Sequence, residues 1–230
     1  TRPPVITAID FSPDGKLLAV SGFHEVFLLA ADGSAQLGRL VGLSDRIESV
    51  HFSPDGQRLA VVGGLPGRMG EVQIWDVPKR ELLLSVPTTF DTIYGGAWSP
   101  DGKLIAYGAA DKSVRALEAE TGKEVVFMAA HDDWIRDTVF SKDGQSIFSA
   151  SRDKTVKKTD VATQRFVGNV TTTTPGVLLG GMIAISRHPY RNEILVGGAD
   201  GAPKLFRMST KAALATGGNP NQIREFEALP

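Results

Sequence analysis

Four histidines, a recurring Asp-Gly pair, a glycine-rich stretch and one cluster of aromatic and charged side chains are the residues of this 230-residue chain that could do chemistry. His24, His51, His131 and His188 would make a metal centre only by converging with carboxylates, and none of the short ligand spacings of a zinc site joins them. Asp14, Asp55, Asp101 and Asp143 each precede a glycine. A calcium loop needs the alternating Asp-x-Asp-x-Asp-Gly pattern, which is missing, so these carboxylates are read as acceptors for the amides of tight turns. Gly63–Gly70 is as glycine-rich as a phosphate cradle, but it lacks the Gly-Lys-Ser/Thr ending and reads as an extended hairpin loop. The sequence has no Gly-x-Ser-x-Gly elbow, no His-Glu-x-x-His motif and no cysteine. It therefore predicts a chain that is not an enzyme and has no catalytic residue, metal ligand or cofactor.

The remaining cluster, His131-Asp132-Asp133-Trp134-Ile135-Arg136, places an aromatic ring and charges where a strand begins. Trp and Arg are frequent interface anchors, while a Trp at such a place also packs between sheets, and the sequence supports both readings of Trp134. With Arg152 on a nearby hairpin and Arg68 in the glycine-rich stretch, Asp133, Trp134 and Arg136 form the candidate partner-binding surface. The expected partner is a protein. A net charge of −1 offers no electrostatic footprint for nucleic acid, and no apolar run approaches the roughly 18 residues of a membrane-spanning helix.

The elements that must position these residues repeat. Phe11-Ser-Pro-Asp-Gly15, Phe52-Ser-Pro-Asp-Gly56, Trp98-Ser-Pro-Asp-Gly102 and Phe140-Ser-Lys-Asp-Gly144 recur at steps of 41, 46 and 42 residues, and a degraded copy at Arg187-His-Pro-Tyr-Arg191 follows after 47. An apolar run follows each copy. In the second repeat, Ile47–Phe52 alternates as a half-buried strand does, Arg58–Val62 is nearly all apolar, and Val72–Asp76 and Glu81–Val86 complete four strands. A period in the forties built from four short strands predicts an all-β propeller of four-stranded antiparallel blades. Five blades are expected, over residues 5–42, 47–87, 93–130, 135–170 and 180–228 of a single propeller segment. The uncharged run from Gly168 to Gly181 is read as a long connection.

The turn phrase, the Ser149–Val156 hairpin with its Asp153-Lys-Thr-Val, and Trp75-Asp76 resemble the WD-repeat family of β-propellers. That resemblance implies a scaffold for protein partners and makes Asp14, Asp55, Asp101, Asp143, Trp75, Asp76, His131 and Asp153 structural repeat residues. It also implies a brace of His131, Ser149 or Ser151, and Asp153, with Thr159 where the aromatic member belongs, so stability is expected to rest on apolar packing between blades. Thr1-Arg-Pro-Pro4, Gly22–Val26, Asp91–Gly95 and Ile194–Gly201 are similar to WD-repeat regions of large bacterial proteins that carry an upstream c-type cytochrome domain and are exported, which implies a periplasmic or exported location. Without a Cys-x-x-Cys-His, these residues cannot hold the haem themselves. The alternative implied by fold analogy is a propeller attached to or gating an enzyme, a hydrolase or lactonase or a cytochrome-linked redox protein.

Both ends fall at repeat boundaries and read as an excerpt of a longer protein. WD-type rings more often close with seven blades, so an open arc is expected. Such an arc exposes two apolar sheet faces, and it is expected to aggregate or dimerise when made alone.

Overall fold

The recurring turn shows how the local sequence builds the blades. In each of the four intact copies the serine hydroxyl donates to the aspartate two residues on, Ser12 to Asp14 at 2.6 Å, Ser53 to Asp55 at 2.5 Å, Ser99 to Asp101 at 2.6 Å and Ser141 to Asp143 at 2.5 Å. The glycine closes the bend at φ near +70°. The serine oxygen then accepts the amide of the first residue of the next strand, for example Leu17 and Leu104, both at 2.9 Å. The serine hydroxyls and turn amides hold all four carboxylates below their ordinary pKa. In the fifth copy His188 replaces this device, its Nδ1 accepting the amides of Tyr190 and Arg191 at 3.1 and 3.0 Å.

The computed structural model describes residues 5–129, 131–171, 181–208 and, as backbone, 222–225. Five antiparallel meanders run along the chain. Blade 1 comprises β1 (Ile9–Phe11), β2 (Leu17–Ser21), β3 (Glu25–Ala30) and β4 (Gln36–Val41). Blade 2 comprises β5 (Arg46–Phe52), β6 (Arg58–Leu65), β7 (Met69–Asp76) and β8 (Glu81–Thr89). Blade 3 comprises β9 (Ile93–Trp98), β10 (Leu104–Ala109), β11 (Ser113–Glu118) and β12 (Glu124–Ala129). Blade 4 comprises β13 (Ile135–Phe140), β14 (Ser146–Ser151), β15 (Val156–Asp160) and β16 (Arg165–Asn169). Blade 5 comprises β17 (Met182–Arg187), β18 (Glu193–Gly198), β19 (Lys204–Arg207) and β20 (Gln222–Glu225). The expected connection over Gly168–Gly181, Ala130 and the end of the last outer strand lie largely outside the described residues.

One expectation is corrected. Gly63–Gly70 is not an extended loop: β6 and β7 run through it, pairing Gly63 with Glu71, Gly64 with Gly70 and Leu65 with Met69, so that only Pro66, Gly67 and Arg68 form the tip. A Cβ on Gly63 would lie 2.0 Å from the Arg46 carbonyl oxygen, and one on Gly64 would lie 2.1 Å from that of Met69. These glycines admit close backbone approach within a sheet, the opposite of flexibility.

First strands of successive blades lie side by side, β1 by β5, β5 by β9, β9 by β13 and β13 by β17. The core is correspondingly a series of apolar layers between blades. Leu59, Ile105 and Ile147 are fully buried in three of them, each contributing about 1.5–3 kcal/mol. Polar side chains on the first strands add stitches across the same joints. Asp10 accepts the Phe52 amide at 2.8 Å, Ser49 accepts the Gly96 amide at 3.2 Å, and Asp137 accepts the Ile185 amide at 2.9 Å. Blade 1 leaves one face open. Ile9 and Phe11 are 59% and 53% exposed, whereas Val50 and Phe52 at the same places in blade 2 are 1% and 7% exposed.

Candidate functional site

In a meander the turns of the Asp-Gly phrase lie at one end of each blade. The β14–β15 hairpin and the segment leading into β13 share the opposite rim. There a buried brace supports an exposed cluster. His131 Nδ1 lies 2.8 Å from Asp153 Oδ2, and its Nε2 lies 2.7 Å from Ser149 Oγ. Thr155 Oγ1 donates to Asp153 Oδ1 at 2.6 Å, and the Asp132 amide donates to Asp153 Oδ2 at 3.0 Å. Burial opposes ionisation of Asp153, but the His131 and Thr155 hydrogen bonds outweigh it and hold the carboxyl well below the usual range.

The serine partner is Ser149, while Ser151 uses its hydroxyl on the Asp133 carbonyl at 3.0 Å. Ser–His–Asp connectivity is also that of a hydrolytic triad. Here Ser149 is 0% exposed, so its hydroxyl faces the interior of the blade and the three residues act as a brace. The brace forms without its aromatic member: Thr159 is fully buried, and its hydroxyl has no hydrogen-bond partner among the described residues.

Asp153 and Ser151 pin both the hairpin and the segment ahead of β13. The Arg152 amide donates to the Trp134 carbonyl at 3.0 Å, and the Trp134 amide to Asp133 Oδ1 at 2.7 Å. On this fixed backbone four side chains form a continuous series of ring contacts. The Arg152 guanidinium lies 4.9 Å from the Trp134 ring, Trp134 stacks on Tyr94 with centroids 6.0 Å apart and planes at 18°, and the Arg136 guanidinium lies 4.2 Å from the Tyr94 ring. Asp133 Oδ2 sits 3.8 Å from Arg152 Nε. Trp134 thus does both things the sequence allowed: it bridges blades 3 and 4 through Tyr94 and remains 36% exposed. Burial pushes the Tyr94 phenol up, so it stays neutral.

The structure brings Asp133, Trp134, Arg136 and Arg152 together. Arg68 stands apart, at the tip of the β6–β7 hairpin on the same rim, with no ring contact or ion pair to the series. That tip is tied down by the Gly67 amide, which donates to Asp91 Oδ1 at 2.9 Å.

Tyr94 was missed by sequence reasoning, although a signal existed. It stands four residues before Trp98, as Arg136 stands four before Phe140. Arg136 is also the residue skipped by a register shift between Ile135 and Asp137, a bulge of the kind that re-aims side chains.

A second missed network holds Trp75. Its Nε1 donates to Gln73 Oε1 at 3.0 Å, and Gln73 Nε2 donates to the buried Glu71 carboxylate at 2.8 Å. Ser44 and Ser85 donate to that carboxylate at 2.5 Å each. Polar residues at alternate positions of an otherwise apolar strand, Glu71-Val-Gln73-Ile-Trp75, were its trace. Asp76 accepts the Lys79 amide at 2.8 Å and shapes the turn into β8. No group of three or more His, Asp or Glu side chains suited to a metal occurs among the described residues.

Four-stranded meander blades packed through their first strands define a β-propeller architecture. The family model "WD domain, G-beta repeat" matches residues 2–37 and 122–160, and "Anaphase-promoting complex subunit 4 WD40 domain" matches 68–136. Together with the blades, these matches support the WD40 repeat family. Among similar proteins, "Nuclear distribution protein nudF" of Emericella nidulans is 28% identical over 184 residues, covering 70% of this chain and 40% of that protein. "WD repeat and SOCS box-containing protein 1" of Mus musculus is 30% identical over 89 residues, 38% of this chain and 21% of that protein. "Protein HIR1" of Candida albicans is 24% identical over 153 residues, 66% of this chain and 14% of that protein. The chain therefore spans less than half the length of these relatives. They are eukaryotic, and none of their names points to the cytochrome context that the sequence resemblance implied.

Proposed function

We propose that this chain is a non-catalytic protein-interaction module and that a protein partner docks on the rim around Trp134. The observation that carries this reading is the Arg152–Trp134–Tyr94–Arg136 series. It presents a large, partly exposed aromatic on backbone already fixed by the His131–Asp153 brace, so little ordering cost remains at binding. The kind of fold supports it by analogy, since WD40-repeat proteins generally act in protein interaction and scaffolding. The test is affinity capture from the source extract with the wild-type chain and with Trp134→Ala. A partner retained by the wild type and lost by the variant, with both equally folded, is expected; a partner indifferent to Trp134 counts against the rim.

We further propose, on the resemblance of Thr1–Pro4, Gly22–Val26, Asp91–Gly95 and Ile194–Gly201 alone, that the module serves an exported bacterial protein bearing a c-type cytochrome domain. Immunocapture of the native protein followed by a denaturing gel stained for covalent haem decides this. A haem-positive band far above 24.6 kDa is expected, and a haem-free band removes the cytochrome reading.

A further inference from the structure

Arg136 differs from its neighbouring arginines Arg152 and Arg46. Arg152 has Asp133 beside it, and Arg46 has Glu48 at 3.4 Å. Arg136 is half-buried as a residue, its guanidinium is held against the Tyr94 ring, and it has neither an ion-pair partner nor a side-chain hydrogen bond among the described residues. Its planar fork therefore keeps its donors for something outside the chain, in an orientation set by the ring beneath it and by the bulge that skips it in the β13–β14 ladder. Such a fork matches a carboxylate with two parallel hydrogen bonds.

The surrounding charges narrow the class of ligand. The carboxylates of Glu48 and Asp91 and the guanidinium of Arg46 are close enough for their charge to act on the Tyr94 phenol. With the Arg46 and Arg136 guanidinium groups balancing the two carboxylates around this ring, the setting suits a single negative charge and leaves no surplus of positive charge for a doubly charged phosphate. The exposed part of Trp134 continues from Tyr94 and offers apolar area beside the charge.

We propose that Arg136 is the recognition point for the side-chain carboxylate of an Asp or Glu in the partner, flanked there by an apolar residue that covers Trp134. This rests on the preceding reading that a partner docks on the Trp134 rim, and it names the chemistry of the contact.

The test is a display selection of random twelve-residue peptides on the 230-residue chain. The enriched peptides are then synthesised with acetylated and amidated ends, so that only side-chain carboxylates remain, and are measured by fluorescence polarisation. Peptides pairing an acidic with an apolar residue are expected. Their Asp→Asn or Glu→Gln versions should bind the wild-type chain at least about tenfold more weakly, the scale of a partly desolvated charge pair that loses one member. On Arg136→Met, checked for an unchanged melting temperature, acid and amide peptides should bind equally. If that variant does not fold, Arg136→Lys replaces it and should keep only part of the discrimination, having charge but no fork.

Equal binding of acid and amide peptides by the wild-type chain overturns the carboxylate assignment while leaving the rim in place, provided Trp134→Ala still weakens both. Tighter binding of a phosphoserine version overturns the single-charge assignment. Peptides indifferent to Trp134→Ala, or no enriched peptides at all, remove the rim reading and this inference with it.

Discussion

Thr159 and His131 lie within one blade and act in opposite directions. His131 pairs with a carboxylate whose side chain is nearly as buried as its own, so truncating it strands Asp153 without its main partner. Thr159 keeps a buried hydroxyl without a partner among the described residues, a cost that an isosteric methyl removes. In urea unfolding, His131→Ala is therefore expected to destabilise the chain by about 3 kcal/mol. Thr159→Val should be neutral or stabilise by about 1 kcal/mol. Similar losses from both variants would show that the brace does not hold the blade. The brace also explains how a surface tryptophan gains a fixed backbone: Asp153 ties down Asp132, and Ser151 ties down Asp133, immediately before Trp134.

Joints between elements carry a pH signature. Asp137 on β13 accepts the Thr138 and Ile185 amides, joining blade 4 to blade 5. Although the residue as a whole is only half-buried, the placement of its carboxyl between first strands desolvates it, which outweighs those hydrogen bonds and pushes its pKa up to about 7. The folded chain then holds a proton that the unfolded chain has released above about pH 4, so stability falls as pH rises from about 4 to 7. Asp153 and the turn aspartates have lowered pKa values and act in the other sense, their contribution being lost as pH falls below the ordinary carboxylate range. Melting temperature is thus expected to peak at mildly acidic pH and decline toward pH 8, and Asp137→Asn should flatten that decline. An unchanged slope in the variant would assign the alkaline limb to another group. Gly63 and Gly64 matter at this same scale, because their missing side chains let β6 and β7 pair out to the hairpin tip.

For the molecule as a whole, the open face of blade 1 is the largest departure from a closed propeller. Ile9 and Phe11 pair with Val20 and Leu18, which pair in turn with Phe27 and Leu29, so one sheet face is apolar across three strands and has no blade against it among the described residues. Blades 2 to 5 each cover the equivalent face with their predecessor. An exposed apolar area of this kind drives association. Light scattering on the 230-residue chain should report dimers or larger species, and the double variant Ile9→Lys with Phe11→Glu should shift it toward monomer. A wild-type chain that remains monomeric at all concentrations would remove this expectation.

The repeat, the strand order and the turn chemistry were legible in the sequence because each is local. A Ser-Pro-Asp-Gly bend folds through contacts within five residues, and strand alternation records which side is buried. The surface cluster around Trp134 was legible in part, because Asp133, Trp134 and Arg136 are neighbours and Arg152 sits on a recognisable hairpin. Tyr94 was not, since it reaches Trp134 from a different blade, and only the packing of blade 3 against blade 4 creates that stack. The same holds for the Glu71–Gln73–Trp75 chain, whose Ser44 and Ser85 come from beyond its own strand, and for Gly63–Gly70, where loop-forming composition yields to close strand approach. Local hydrogen bonding and hydrophobic period determine which elements form. Which side chains meet across blades depends on the angle and register of sheet-on-sheet packing, and only the tertiary structure sets those.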